Sequence, residues 1–212
     1  MEKKVIYSAT NTYSVLNSYS EKTKNVWVVF HGLGYLSKYF IKYFSELNPE
    51  ENFIIAPQAP SKYYQDKKFK HVGASWLTRE NTAEEINNVL TYVDQVYKTE
   101  VYKKPKNLIV LGYSQGVSVA SRWVASRKIN FNHLILHSGG IPLELQSKDF
   151  SFLNKDVTVT YLYGNKDQYI TEARKTEQLI IGNKLFEDQL EIEVFDGIHE
   201  VNTSFIKKLS LK

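Results

Sequence analysis

The chain contains no cysteine. This excludes disulfides, a thiolate metal site and a cysteine nucleophile, and it fits a reducing compartment. It also lacks any apolar run near the ~20 residues of a membrane-crossing helix. The opening residues, Met1-Glu2-Lys3-Lys4-Val5-Ile6-Tyr7-Ser8-Ala9-Thr10, carry no secretory apolar core. A cytoplasmic protein without a membrane span is expected. A charge excess of one sign is nearly missing too: 27 Lys and Arg stand against 23 Asp and Glu. The basic residues are scattered, with short clusters at Lys67-Lys68-Phe69-Lys70 and Lys103-Lys104 and no long stripe, so no nucleic-acid partner is expected. Repeats, low-complexity tracts and linkers are absent. With 212 residues, 42% of them hydrophobic, the chain reads as a single domain over 1–212 with a sizeable core.

What is present centres on Gly112-Tyr113-Ser114-Gln115-Gly116. The apolar run Leu108-Ile109-Val110-Leu111 precedes it, and a stretch with helical spacing, 117–125, follows. Gly-x-Ser-x-Gly between a strand and a helix is the signature of a nucleophile elbow. The turn is tight enough to demand small residues two positions to either side, and it exposes the serine hydroxyl above the sheet. The following helix start offers a free N–H and a favourable dipole to a developing oxyanion.

An elbow serine needs a base, and the base needs an orienting carboxylate, in the chain order Ser, Asp or Glu, His. His133 and His137 bracket the strand next after the elbow and come too early. His199 lies in the turn Asp196-Gly197-Ile198-His199-Glu200 after the alternating stretch Leu190-Glu191-Ile192-Glu193-Val194-Phe195, where a general base belongs. Asp167 ends the turn Gly164-Asn165-Lys166-Asp167 after a strand over 157–163, on the edge where sites of open α/β sheets form. Asp196 competes with it, but its place three residues before His199 suits a turn-shaping role better. Asp156 precedes its strand and falls at the opposite edge. For the oxyanion, the apolar strand Val26-Trp27-Val28-Val29-Phe30 leads into His31-Gly32-Leu33-Gly34, and the N–H groups of Leu33 and Gln115 are the expected donors. His31 is expected to support that loop.

From residue 26 onward, strands alternate with helices: a helix over 37–47, a strand over 53–56, a long loop, a helix, the elbow strand, and three further units. A capping box, Thr82 with Glu85, and an apolar stripe at Ile86, Val89, Leu90, Val93 and Tyr97 mark the helix after the long loop. Residues 5–17 alternate loosely and suit antiparallel edge strands. The pattern implies an α/β fold: a mostly parallel sheet with helices on both faces. Only 57–80 and 141–155 are free to form a lid, and it would be minimal.

These residues resemble the carboxylesterase/phospholipase group of the α/β-hydrolases, which includes the acyl-protein thioesterases. Phe30-His31-Gly32-Leu33-Gly34 is similar to the group's oxyanion loop, and Phe53-Ile54-Ile55-Ala56-Pro57-Gln58-Ala59-Pro60 to its next strand and loop. The elbow, His137-Ser138-Gly139-Gly140, Gly164 to Asp167, and Gly197 to His199 match in order. The resemblance implies an α/β-hydrolase fold with Ser114, Asp167 and His199 as triad. It implies an oxyanion hole at Leu33 and Gln115, and a cleft with His31, Gly32 and, through Ser75-Trp76-Leu77, Trp76 on its wall; a loop tryptophan packed as a hydrophobic plug is the alternative for Trp76. Two departures stand out: a Tyr- and Lys-rich loop over 61–79, and Gln168-Tyr169-Ile170 after Asp167 where the group usually has Pro-Val-Val. Both basic clusters read as solvated surface; for Lys67 to Lys70, in the loop expected beside the cleft, attraction of an anionic acyl ester is the alternative. The expected activity is serine hydrolysis of carboxylic esters or thioesters of short to medium acyl chains, with no cofactor and no metal. A peptidase or acyltransferase with the same triad, and a hydrolase-like binding protein with little turnover, are the alternatives.

Overall fold

In the computed structural model, residues 1–211 are described, and a seven-stranded sheet runs through the middle of the chain. Its strands are β1 (Tyr13–Leu16), β2 (Asn25–Phe30), β3 (Asn52–Pro57), β6 (Asn107–Tyr113), β7 (His133–His137), β8 (Thr158–Gly164) and β9 (Leu190–Phe195), in the order β1-β3-β2-β6-β7-β8-β9. Only β1 is antiparallel. Chain order and spatial order cross at β2, so β3 lies on one side of it and β6, which carries the elbow, on the other.

Alternation along β2 shows why its sequence is apolar throughout. Val26, Val28 and Phe30 enter one core and Trp27 and Val29 the other, with none more than 1% exposed. A strand covered on both faces has no solvent side on which to place polar residues. The first core lies beneath α2 (Thr82–Glu100), α3 (Gln115–Arg127) and α4 (Glu172–Phe186), which bury Val89, Val93, Val117, Ala120, Trp123 and Leu185. The second lies beneath α1 (Ser37–Phe40), its 3₁₀ continuation Ile41–Phe44, and α5 (Thr203–Ser210), around Phe40, Phe44, Ile206 and Leu209.

Several expectations shift. The helix predicted over 37–47 is one α turn followed by the 3₁₀ turn. Of residues 5–17, only 13–16 form a strand. Val89, Leu90, Val93 and Val96 form the buried stripe of α2, but its capping box is not made. Asn81 caps that helix in the left-handed region, and the Thr82 hydroxyl donates to the Thr78 carbonyl at 2.9 Å instead. The span expected as a loop or lid contains an antiparallel hairpin, β4 (Ser61–Tyr64) and β5 (Val72–Ser75), forming a separate two-stranded sheet. The 141–155 span contains one 3₁₀ turn, Ser147–Phe150. Among the described residues no helix is long and apolar enough to cross a membrane.

Candidate active site

The elbow between β6 and α3 forces Ser114 into an uncommon backbone state, φ 53° and ψ −117°. A non-glycine residue holds such a conformation only where its surroundings impose it. Here the imposition comes from three close approaches. A Cβ on Gly116 would lie 2.1 Å from the Phe30 carbonyl oxygen, one on Gly112 2.5 Å from that of Gly116, and one on Gly139 2.2 Å from that of Ser114. The Ser114 N–H donates to the His137 carbonyl at 2.8 Å, which ties the turn to β7. Gly139 was not singled out from sequence as part of the elbow, because its contact is made across the sheet.

The Ser114 hydroxyl lies 3.1 Å from His199 Nε2, and His199 Nδ1 lies 2.7 Å from Asp167 Oδ2. The Asp167 side chain is wholly buried and that of His199 is 19% exposed. Asp167 Oδ1 accepts the Tyr169 N–H at 2.9 Å, so both carboxylate oxygens are engaged. The two loops carrying Asp167 and His199 press together: a Cβ on Gly164 would lie 2.3 Å from the Gly197 carbonyl oxygen. Lys166 N–H donates to that same carbonyl at 2.9 Å. Asp196 is elsewhere, its exposed carboxylate paired with Lys166 at 2.7 Å and held below its ordinary pKa by that contact. The carboxylate in contact with His199 is that of Asp167, whereas that of Asp196 pairs with Lys166.

Aromatic rings stand on two sides of His199. Tyr113 lies 5.2 Å away and donates its hydroxyl to the His199 carbonyl at 3.0 Å; burial raises its pKa. Tyr169 lies 4.7 Å away, nearly perpendicular, and is 55% exposed. Neither residue's role was legible in sequence. Tyr113 read as a filler position of the elbow motif, and Tyr169 appeared only as a departure from the usual residues after the acid.

Leu33 and Gln115, the expected oxyanion donors, have backbone N–H groups without a protein acceptor among the described residues. Their loops adjoin: a Cβ on Gly32 would lie 3.1 Å from that of Ser114. The Gln115 side chain accepts the Trp76 N–H at 2.9 Å and donates to the Leu77 carbonyl at 2.8 Å, clasping the end of β5. Gly34 N–H donates to the Ala74 carbonyl at 2.9 Å, and Gln65 Nε2 to the Gly34 carbonyl at 2.8 Å, so the hairpin also braces the His31-to-Gly34 loop.

Two of the expected cleft residues are not at the surface. Trp76 is fully buried against Phe30 and His31, and its indole N–H donates to the His31 carbonyl at 2.8 Å. It is a core residue that braces the His31-to-Gly34 loop, because a large ring with one polar handle finds both burial and a carbonyl there. His31 is fully buried too. Its Nε2 accepts the Ala59 N–H at 3.1 Å, which leaves Nδ1–H to donate to the Gly32 carbonyl at 2.8 Å. Burial lowers its pKa to about 4. His137 is likewise buried and neutral, accepting the Asn202 N–H at 2.9 Å, with burial lowering its pKa to about 3.

The two best-defined pockets avoid this arrangement. The larger, about 720 Å³, lies at the opposite edge of the sheet between Tyr102, Lys104, Leu108, Lys128 and Phe131. Among the described residues no group of three or more His, Cys, Asp or Glu could hold a metal ion.

Comparison with known proteins bears on the chemistry this geometry allows. No curated protein matched the sequence. The fold is similar to that of Zea mays acyl-protein thioesterase 2 (15% identity, TM-score 0.70, covering 95% of this chain and 97% of that one). It is similar to a phospholipase/carboxylesterase from Dyadobacter fermentans (20% identity, TM-score 0.68, 99% and 100%). A variant of Arabidopsis thaliana SOBER1 matches at 18% identity and a TM-score of 0.60, covering 88% of this chain and all of that one. A family model described as phospholipase/carboxylesterase matches residues 11–210. With that match spanning nearly its whole length, the chain belongs to the phospholipase/carboxylesterase family of α/β-hydrolases.

Proposed function

We propose that Ser114, His199 and Asp167 act as a catalytic triad that hydrolyses carboxylic esters or thioesters, the whole chain serving as one hydrolase domain. The observation that carries this reading is the continuous contact from the Ser114 hydroxyl through His199 to Asp167, at 3.1 and 2.7 Å. His199 Nε2 takes the hydroxyl proton as Ser114 Oγ attacks the acyl carbonyl. Asp167, accepting from Nδ1–H, keeps the imidazole in the tautomer that leaves Nε2 free to do so. The negative charge on the carbonyl oxygen is received by the N–H groups of Leu33 and Gln115, which lack other acceptors among the described residues. Collapse expels the alcohol or thiol with the proton returned by His199. Water then repeats the sequence on the acyl-enzyme and releases the acid. The steps need neither metal nor organic cofactor.

The substrate is a small-molecule ester or thioester with a short to medium acyl chain. Leu33, Tyr169 and Ile198 are each more than half exposed around the triad, which favours a shallow binding surface over a deep acyl tunnel. The test is a panel of p-nitrophenyl esters of increasing acyl length, with acyl thioesters alongside, against the wild type and Ser114→Ala. Turnover should peak at short to medium chains and vanish in the variant. Turnover that rises steadily to long chains would remove the size assignment.

A further inference from the structure

Three cations, Lys166, Arg174 and Lys175, follow β8 on the Asp167 loop and the first turns of α4, and two are neutralised. Lys166 pairs with Asp196 at 2.7 Å, and Lys175 with Glu172 at 2.6 Å. Arg174 is not: among the described residues its guanidinium has one hydrogen-bond partner, the Tyr169 carbonyl at 3.3 Å from Nη1. Glu177, one turn further along α4, makes no ion pair with it among the described residues. Arg174 also occupies the first turn of α4, where the helix dipole disfavours a cation. Helix stability does not account for it.

Its position does. Arg174 Nη2 lies 3.0 Å from the point where a Cβ on Gly140 would stand. The neighbouring residue, Gly139, is the one that abuts the Ser114 carbonyl. One Cα step of about 3.8 Å separates the two glycines, which puts the guanidinium on the order of 10 Å from the elbow. Tyr169 joins this cation to the triad. Its ring lies on His199, its N–H is held by Asp167 and its carbonyl by Arg174. An exposed ring on a backbone fixed at both ends is a preformed wall.

We propose that Arg174 and Tyr169 form a subsite for an anionic group, a carboxylate or phosphate, carried on the leaving-group portion of the ester. The inference rests on the Ser114–His199 reading of the site. His199 returns its proton to the leaving oxygen, and of the two rings beside His199 only Tyr169 is exposed, so the leaving group is placed on the Tyr169 side. The exposed Tyr169 ring lines that side, and the Arg174 Nε and Nη2 N–H groups, which have no acceptor among the described residues, can donate to a planar anion in bidentate fashion. This distinguishes the site from an apolar acyl groove and names the substrate class as anionic esters.

The test compares 4-acetoxybenzoate with its neutral methyl ester, each consuming one water and releasing acetate and a phenol. The wild type should favour the charged ester in kcat/KM. The charged-to-neutral ratio should fall about tenfold in Arg174→Gln, roughly 1.4 kcal/mol, and recover in part in Arg174→Lys, which keeps the charge but loses the fork. Titration of 4-acetoxybenzoate into Ser114→Ala should show binding that weakens about tenfold when Arg174→Gln is added. An unchanged ratio in Arg174→Gln, or binding indifferent to it, overturns the subsite. Failure of the wild type to cut either ester would overturn the serine-hydrolase reading instead, while the binding titration still decides the subsite.

Discussion

The two edges of the central sheet are opposites. At the amino edge a groove of about 720 Å³ opens among Lys103, Lys104, Lys106 and Lys128, with no carboxylate in its lining. Its apolar floor comes from Leu108 and Phe131, and Lys103 is drawn away toward Glu21. At the carboxyl edge three side chains from three separate loops, one of them a strained serine, meet within hydrogen-bonding distance. The groove has volume without a converging set of side chains; at the elbow the side chains converge. Hydrolysis needs the second, because proton transfer and oxyanion stabilisation depend on placement to a few tenths of an ångström.

The largest effect should come from the carboxyl edge. Asp167→Asn should lower kcat on a p-nitrophenyl ester by about 10⁴-fold, since the amide favours the wrong imidazole tautomer. Asp196→Asn, losing only an exposed pair with Lys166, should stay within a few-fold. Kinetics of the two variants side by side would make Asp196 the triad acid if the order came out reversed.

Next is the scaffold beneath the oxyanion loop. Trp76→Ala should cost about 3–5 kcal/mol in denaturant unfolding, the usual penalty for emptying a large buried ring, with the added loss of its bond to His31. A variant of native stability with an altered acyl-length profile would instead return Trp76 to the cleft wall.

Acid should act on the same carboxyl edge through its two buried histidines. His31 and His137 are neutral in the fold, with pKa lowered to about 4 and about 3, whereas the unfolded chain binds protons near 6.5. Below that pH the unfolded state takes up protons the folded state refuses, so stability is full above about 6.5 and declines as pH falls. The loss should reach about 2 kcal/mol per histidine at pH 5. Urea midpoints measured from pH 7.5 to 5 check this; about half the decline would mean that one ring takes up its proton in the fold, and a flat profile that both do.

The smallest effect belongs to the amino edge. Lys104→Ala and Lys128→Ala should leave ester turnover within about a factor of two, because screened surface charges more than a Debye length from the reaction contribute little. A tenfold change in either would tie the groove to catalysis and break the contrast between the edges.

Much of the carboxyl edge was legible in sequence because its signals are local. Glycine spacing around Ser114, strand ends before Asp167 and His199, and continuous apolar runs in β2 and β6 each report a backbone requirement within a few residues. What sequence missed was made at a distance. Gly139 reaches the elbow from β7, and the Gln115 side chain clasps a hairpin forty residues earlier in the chain. Trp76 read as a cleft wall because a loop tryptophan announces neither its depth nor its partner. Thr82 failed as a helix cap because the Thr78 carbonyl, four residues back, claimed its hydroxyl. The hairpin over 61–75 was hidden by exposure: all four residues of β4 face solvent, so no apolar alternation marks them.

The most direct test of the account is the site of covalent modification by a fluorophosphonate, mapped by peptide mass spectrometry on the full chain. The account predicts one adduct, on Ser114, absent from a folded Ser114→Ala variant. An adduct on any other residue, or undiminished labelling of that variant, would contradict it.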